Sequence, residues 1–89
     1  MRDKLSELKN NVKIAEILET VVDINDIFKI VYRKDDFGNT CFKHIDIELV
    51  YGEYIEIPES DRIYKRILDL FQITDLEKEE MVLFESDYY

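Results

Sequence analysis

The feature that most constrains the fold of this chain is the alternation of apolar and polar residues between positions 45 and 57. Apolar side chains occupy every second position in two short segments, at Ile45, Ile47, Leu49, Ile55 and Ile57. Because successive side chains of a strand point to opposite faces, each segment predicts a strand with one buried face. An odd-length loop, or a bulge at Gly52, keeps both apolar sets on the same side, and we therefore predict a β-hairpin with one of these connections.

This hairpin also concentrates negative charge on its outer face. The hairpin and the turn after it contain six acidic residues and no Lys or Arg. We predict that Ile47 pairs with Ile57. In that register Glu48 lies opposite Glu56, with Asp46 beside them. Like charges directly across a ladder destabilise a sheet by up to about 1 kcal/mol, so the pattern indicates that the acidic face serves something other than folding.

Periodicity and turn residues predict the elements before the hairpin. Apolar residues recur every three or four positions from Asp3 to about Val22, which predicts an amphipathic helix weakened at Asn10-Asn11. Residues 27–33 are rich in β-branched and aromatic side chains and predict a strand. Residues 34–40 contain Asp, Gly and Asn and predict a hairpin connection to a second strand over about 41–50.

After the third strand, Pro58 ends the sheet pattern, and Ser60 or Glu59 caps a helix predicted from about Asp61 to Gln72. Its predicted core face consists of Ile63, Ile67, Leu70 and Phe71. Three structures remain open for the acidic segment 75–89. Residues 74–77 match a capping box, which predicts a short helix, whereas the apolar run 81–84 predicts a last strand, and a tail is the third alternative.

The fold class predicted from these elements is α+β. At 89 residues the chain has the length for one modest core, so we predict a single acidic domain over residues 1–89. It consists of an N-terminal helix, a three-stranded or four-stranded antiparallel sheet, and a C-terminal helix packed on one sheet face. A sheet this small has exposed edges, so a homodimer is a further expectation.

The net charge of −9 lies entirely in the second half of the chain. Residues 1–44 carry eight basic and eight acidic side chains, whereas residues 45–89 carry four basic and thirteen acidic ones. Such a surface repels nucleic acid and anionic membranes and attracts basic proteins. We therefore expect no direct binding to nucleic acid or membrane, and a basic protein as the partner.

The single cysteine, the lack of a long apolar run and the charged N-terminal residues favour a cytoplasmic protein without an intramolecular disulfide.

Cys41 and His44 are three residues apart on a strand and point to opposite faces, so they form a poor nucleophile and base pair. His44, Asp46 and Glu48 share a face with Glu56 and offer ligands for a divalent cation, but alternating polar residues are also typical of any half-exposed strand. Paired carboxylates on an exposed sheet lack the desolvation that acid–base catalysis needs. We predict no enzyme activity, no cofactor and no metal.

The predicted binding surface combines acids with tyrosines, which suit an Arg- and Lys-rich groove. Its members are Asp46, Glu48, Tyr51, Glu53, Tyr54, Glu56, Glu59, Asp61, Glu79 and Glu80, with Tyr88 and Tyr89 near the end of the chain. Carboxylates at alternate strand positions lie about 6.6 Å apart, which is comparable to the spacing of successive phosphates in a nucleic-acid strand.

These observations favour a small acidic inhibitor that binds the nucleic-acid groove of a nuclease or another nucleic-acid-handling protein. In size and charge the chain resembles the decoys that phages carry against host nucleases, such as anti-restriction and anti-CRISPR proteins, and immunity proteins or antitoxins against nuclease toxins. The alternative is a non-catalytic adaptor or a homo-oligomeric assembly protein, which would not compete with DNA or RNA for its partner.

Overall fold

The structure is a computed structural model that describes residues 4–86, and side chains from residue 7 onward. Its elements are helices α1 (Lys4–Asn10) and α2 (Val12–Leu18), a 3-10 turn (Ile24–Asp26), strands β1 (Ile27–Phe37), β2 (Thr40–Leu49) and β3 (Tyr54–Pro58), helix α3 (Arg62–Leu70) and strand β4 (Glu80–Glu85). The four strands form one antiparallel sheet in the order β3-β2-β1-β4. The predicted α+β class is confirmed, in its four-stranded form.

The three helices cover one face of this sheet and bury the core against it. The buried core cluster consists of Leu8 of α1, Ile14, Ile17 and Leu18 of α2, Tyr64, Ile67 and Leu68 of α3, and Ile24, Ile27, Ile30, Tyr32, Ile45, Ile47, Leu49 and Ile57. Side chains at the intervening strand positions point to the opposite, outer face, which no described helix covers. None of the helices within residues 4–86 has the length and apolar character to cross a bilayer.

The predicted N-terminal helix is two short helices. Asn11 separates them, and its side chain accepts a hydrogen bond from the backbone N–H of Ile14, which makes it the N-cap of α2. The break rotates the apolar stripe. Val12, which the continuous helix would place on the buried face, is 63% exposed.

Strands β1 and β2 form a hairpin longer than predicted. Most of residues 34–40 belong to the two strands, and only Gly38 and Asn39 form the turn, so that Phe37 pairs with Thr40. Gly38 adopts a φ of 59°, which the first position of such a turn requires. Residues 35–42, which we call the arm, extend past the last pairs that β1 makes with β4 and β2 makes with β3, and all are exposed.

The register predicted for the β2–β3 hairpin is wrong by two residues. Ile47 pairs with Ile55 rather than with Ile57, and Glu56 lies opposite Asp46 rather than Glu48. The predicted faces are nevertheless correct, because a shift of two positions leaves every side chain on its own side. The connection is an odd loop, closed by a hydrogen bond from the N–H of Leu49 to the carbonyl of Glu53 at 2.8 Å.

Helix α3 begins and ends with recognisable caps. The side chain of Asp61, rather than Ser60 or Glu59, accepts a hydrogen bond from the N–H of Ile63 at 3.0 Å. At the other end Gln72 adopts a left-handed φ of 59°, and the N–H of Ile73 donates to the carbonyl of Leu68. Of the predicted core face only Ile67 is fully buried; the other three residues are partly buried, and Tyr64 and Leu68 join it.

The C-terminal segment is a strand in the part of the chain that the structure describes. β4 pairs with β1 at the edge opposite β3. The capping-box residues 74–77 do not begin a helix. The Asp75 side chain accepts a hydrogen bond from the N–H of Glu77 within an irregular connection. The predicted tyrosines at positions 88 and 89 lie outside the described residues.

Candidate functional site

The outer face of the sheet has an open depression of about 840 Å³. Its lining residues are Phe28, Arg33, Asp35, His44, Asp46, Glu48, Leu49, Val50, Gly52, Glu53, Tyr54 and Glu56. They come from β1, β2, β3 and the β2–β3 loop, and strand alternation sends the charged members of all three strands to this side. Five of the lining side chains are carboxylic acids, against one guanidinium and one imidazole.

Arg33 supplies the counter-charge that the hairpin itself lacks. It lies on β1, and its Nη1 donates a hydrogen bond to Oδ2 of Asp46 at 2.7 Å. Its Nη2 is 3.7 Å from Oε2 of Glu48, and its Nε is 3.4 Å from Oε2 of Glu80 on β4. The hydrogen bond to Asp46 is the main reason that the pKa of Arg33 is raised, so the guanidinium stays charged. The acidic face is therefore partly neutralised from the neighbouring strand.

His44 lies between two carboxylates. Its Nδ1 is 2.9 Å from Oδ1 of Asp46, and its Nε2 is 2.8 Å from Oδ2 of Asp35. Because a carboxylate only accepts hydrogen bonds, both ring nitrogens donate when both contacts form, which requires the protonated imidazolium. Burial lowers the pKa of His44, but the hydrogen bonds to Asp35 and Asp46 outweigh burial and leave the pKa above its ordinary value.

The opposed acids Asp46 and Glu56 form a cluster with His44 that offers three ligand atoms within 4.8 Å of one another. This donor set suits a divalent cation. However, both ring nitrogens of His44 and both oxygens of Asp46 already have hydrogen-bond partners, and the guanidinium of Arg33 lies against Asp46. A metal ion would be repelled by Arg33 and would have to displace these bonds. The absence of a metal stays a prediction.

The ten predicted binding residues divide into two groups in the structure. Five line the depression, and these are Asp46, Glu48, Glu53, Tyr54 and Glu56. Asp46 is only 5% exposed and is committed to Arg33 and His44, so its surface is closed to a partner. The other five lie outside the depression and are exposed, namely Tyr51, Glu59, Asp61, Glu79 and Glu80. Asp61 serves as a helix cap and Glu80 pairs with Arg33.

Glu48 has the least satisfied polar group in the depression. Its Oε2 has almost no accessible surface and no hydrogen-bond partner among the described residues, although the side chain as a whole is 33% exposed. The 3.7 Å separation from Arg33 Nη2 is an ion-pair distance that is too long for a hydrogen bond. A buried acceptor without a donor costs about 1–3 kcal/mol, so the carboxylate of Glu48 is incompletely satisfied within the protein.

Cys41 lies apart from this chemistry. It pairs with Asp36 on the arm and its thiol is exposed. It is three residues from His44 on β2, so the two side chains point to opposite faces of the sheet. Desolvation, followed by the hydrogen bond and charge of Asp36, raises the pKa of the Cys41 thiol. A raised pKa lowers the fraction of reactive thiolate at neutral pH.

Sequence reasoning did not identify Arg33, Asp35 and Phe28 as part of the site. All three lie on β1, whose pairing with β2 decides which of its side chains meet the acidic hairpin. The signal was present in Gly38-Asn39, because a two-residue Gly-Asn turn sets Arg33 opposite His44 by counting alone.

No family model matches the chain, and neither does any curated protein or solved structure.

Proposed function

We propose that this protein is a small, non-catalytic, cytoplasmic inhibitor that binds the nucleic-acid groove of a basic nuclease or another nucleic-acid-handling protein. One observation supports it most, namely the uncovered sheet face on which five carboxylates line an open depression with two cationic groups. Charge of this density on one face attracts a basic groove and accelerates association at low salt. Phage anti-defence, including anti-CRISPR and anti-restriction activity, or nuclease immunity is the biological setting that we propose.

The contact residues in this proposal are those with accessible polar atoms. Glu48, Glu53, Tyr54 and Glu56 meet the partner directly, and Asp46 acts indirectly because it holds Arg33 and His44 in place. Glu59, Asp61, Glu79 and Glu80 extend the negative field around the depression.

The proposal is tested by capture from a lysate of the source organism at low salt, with a matched pair of variants. The site variant combines Glu48→Gln, Glu53→Gln and Glu56→Gln. The control variant combines Glu16→Gln, Glu19→Gln and Asp69→Asn, which removes the same charge from exposed positions on the helical side. We expect wild type and control, but not the site variant, to retain a basic nucleic-acid-binding protein that duplex DNA or RNA then releases.

Three results would contradict the proposal. Equal retention by the site and control variants would show that only net charge matters, and retention that nucleic acid does not reverse would place the contact outside the partner's nucleic-acid groove. If a purified partner kept its full nucleic-acid affinity in the presence of the wild-type protein, the contact would likewise lie outside the partner's nucleic-acid groove.

A second candidate function is self-assembly or an adaptor role, which the arm favours. Phe37 and Phe42 pack edge to face on it, with ring centroids 5.8 Å apart, yet are 67% and 52% exposed. Exposed aromatic pairs of this kind are typical of protein contacts. A protein that acts through the arm would not be displaced from its partner by nucleic acid.

A further inference from the structure

Three structural observations identify the side chain that the depression is suited to bind. The first is the buried Oε2 of Glu48, which has no hydrogen-bond donor within residues 4–86. The Glu48 side chain lines the depression and is 33% exposed, so a partner group approaches its carboxylate from the open side. A positively charged donor there satisfies both the carboxylate and the local excess of negative charge.

The second observation is the position of Tyr54. It is the direct cross-strand partner of Glu48, lines the same depression and is 61% exposed. Directly opposed side chains on one face have Cβ atoms about 5 Å apart, so a cation bound to Glu48 lies beside the tyrosine ring. An aromatic face attracts such a cation and shields it from water on one side.

The third observation is Glu56, two residues beyond Tyr54 on β3 and exposed. It is the diagonal neighbour of Glu48, at a Cβ separation of about 7–8 Å. A single ammonium group binds one carboxylate as a point charge, whereas a planar guanidinium offers five N–H donors in a fixed fork. Only the guanidinium can bridge two separated carboxylates while its flat face stacks on a ring.

We infer that the depression receives an arginine side chain of the partner, whose guanidinium bridges Glu48 and Glu56 against the ring of Tyr54. This inference rests on the proposed function, because it names the group by which a basic groove would be held. Arg33 already shows the same chemistry from inside the protein, with one guanidinium distributed over Asp46, Glu48 and Glu80. The five lining carboxylates offset the repulsion between Arg33 and the incoming arginine.

The test is an NMR titration of the protein with a short blocked peptide, acetyl-Gly-Arg-Gly-amide, and with its lysine counterpart, at low salt. We expect the arginine peptide to shift the Tyr54 ring and the backbone amides of β2 and β3, and to bind about fivefold more tightly than the lysine peptide. Glu48→Gln and Tyr54→Leu should each weaken arginine binding by a similar factor. Glu16→Gln, which removes an exposed charge on the helical side of the molecule, should leave it nearly unchanged.

Each variant is first checked by its amide spectrum and thermal unfolding, and Glu56→Gln provides a second route should Glu48→Gln disturb the fold. Equal binding of the two peptides, equal weakening by Glu16→Gln and Glu48→Gln, or no shift at the highest soluble peptide concentration would each overturn the inference. The capture experiment tests the proposed function, and its outcome does not depend on the outcome of the peptide titration. A DNA-releasable partner without arginine preference removes only this inference, whereas arginine binding without such a partner removes only the proposed function.

Discussion

Asp46 is the residue whose role differs most between the sequence and the structure. In the sequence it is one of six acidic residues in the stretch 45–61, which contains no Lys or Arg. In the structure it is 5% exposed and accepts hydrogen bonds from Arg33 and His44. A buried carboxylate is stable only with such partners, so the opposition of Asp46 and Glu56 does not carry the full like-charge penalty.

His44 makes the stability of this cluster depend on pH. Its folded-state pKa is raised above the ordinary value of 6.5. A raised pKa means that the stabilisation is fully present below the unfolded-state pKa and is lost as pH rises through the folded-state pKa. The groups facing His44 are Asp35 and Arg33 from β1, Asp46 from its own strand and Glu56 from β3.

We therefore predict that His44→Gln lowers the free energy of unfolding by about 1 kcal/mol near pH 6, and that this loss shrinks as pH rises through the folded-state pKa. Urea unfolding of wild type and variant across that range measures the difference, and NMR titration of the imidazole protons measures the pKa itself. Lys43→Gln, a neighbouring charge change on β2, is the control and should show a difference that is nearly constant with pH. An imidazole pKa at or below the ordinary value would contradict the prediction.

The β1–β2 hairpin explains which parts of the site were accessible from sequence. Alternation within each strand correctly assigned the faces of Ile45 and Glu48, because the side-chain period of a strand is a local property. The pairing between strands depends on turns, and the turn was placed over residues 34–40 instead of at Gly38-Asn39. The sequence analysis therefore did not predict that Arg33 pairs with Asp46, Glu48 and Glu80.

Packing decided the remaining elements. The split at Asn11 required a choice between helix continuation and capping, which local propensity leaves nearly balanced. Strand β4 was one of three structures open for the C-terminal segment. It forms because β1 offers an unpaired edge, where the carbonyl of Phe28 also accepts a hydrogen bond from the N–H of Ser86.

The end of helix α3 provides a prediction at the scale of one element. Gln72 has a φ of 59°, a left-handed conformation that costs a residue with a Cβ atom about 1 kcal/mol more than glycine. The surrounding hydrogen bonds, from the N–H groups of Gln72 and Ile73 to the carbonyls of Asp69 and Leu68, form the motif in which glycine is most common.

We predict that Gln72→Gly raises the free energy of unfolding by about 0.5–1 kcal/mol. Urea denaturation measures the change. Arg66→Gly, an exposed substitution within the same helix, controls for the greater freedom of glycine in the unfolded chain and should instead cost about 1 kcal/mol. A loss of stability in both variants would contradict the assignment of Gln72 as a strained cap.

At the scale of the whole molecule, two features oppose each other. The arm has exposed aromatic rings and strand edges that extend past β3 and β4, which favours pairing with a second copy of the chain. The net charge of −9 on every copy opposes that contact. The molecule measures 45 × 25 × 22 Å, and the Debye length is about 30 Å at 0.01 M salt but about 3 Å at 1 M. Repulsion therefore acts across the whole molecule at low salt and over very short distances at high salt.

We predict that the protein is monomeric near 0.01 M salt and self-associates through the arm as salt approaches about 1 M, as measured by sedimentation equilibrium. The double variant Phe37→Ser/Phe42→Ser should remain monomeric throughout. Tyr51→Ser/Tyr54→Ser removes two aromatic rings of similar exposure, 58% and 61%, from the other hairpin and should associate like wild type. Association that weakens with salt, or that is lost equally in both double variants, would show that the arm is not the contact, because an apolar interface between like-charged copies strengthens when their repulsion is screened.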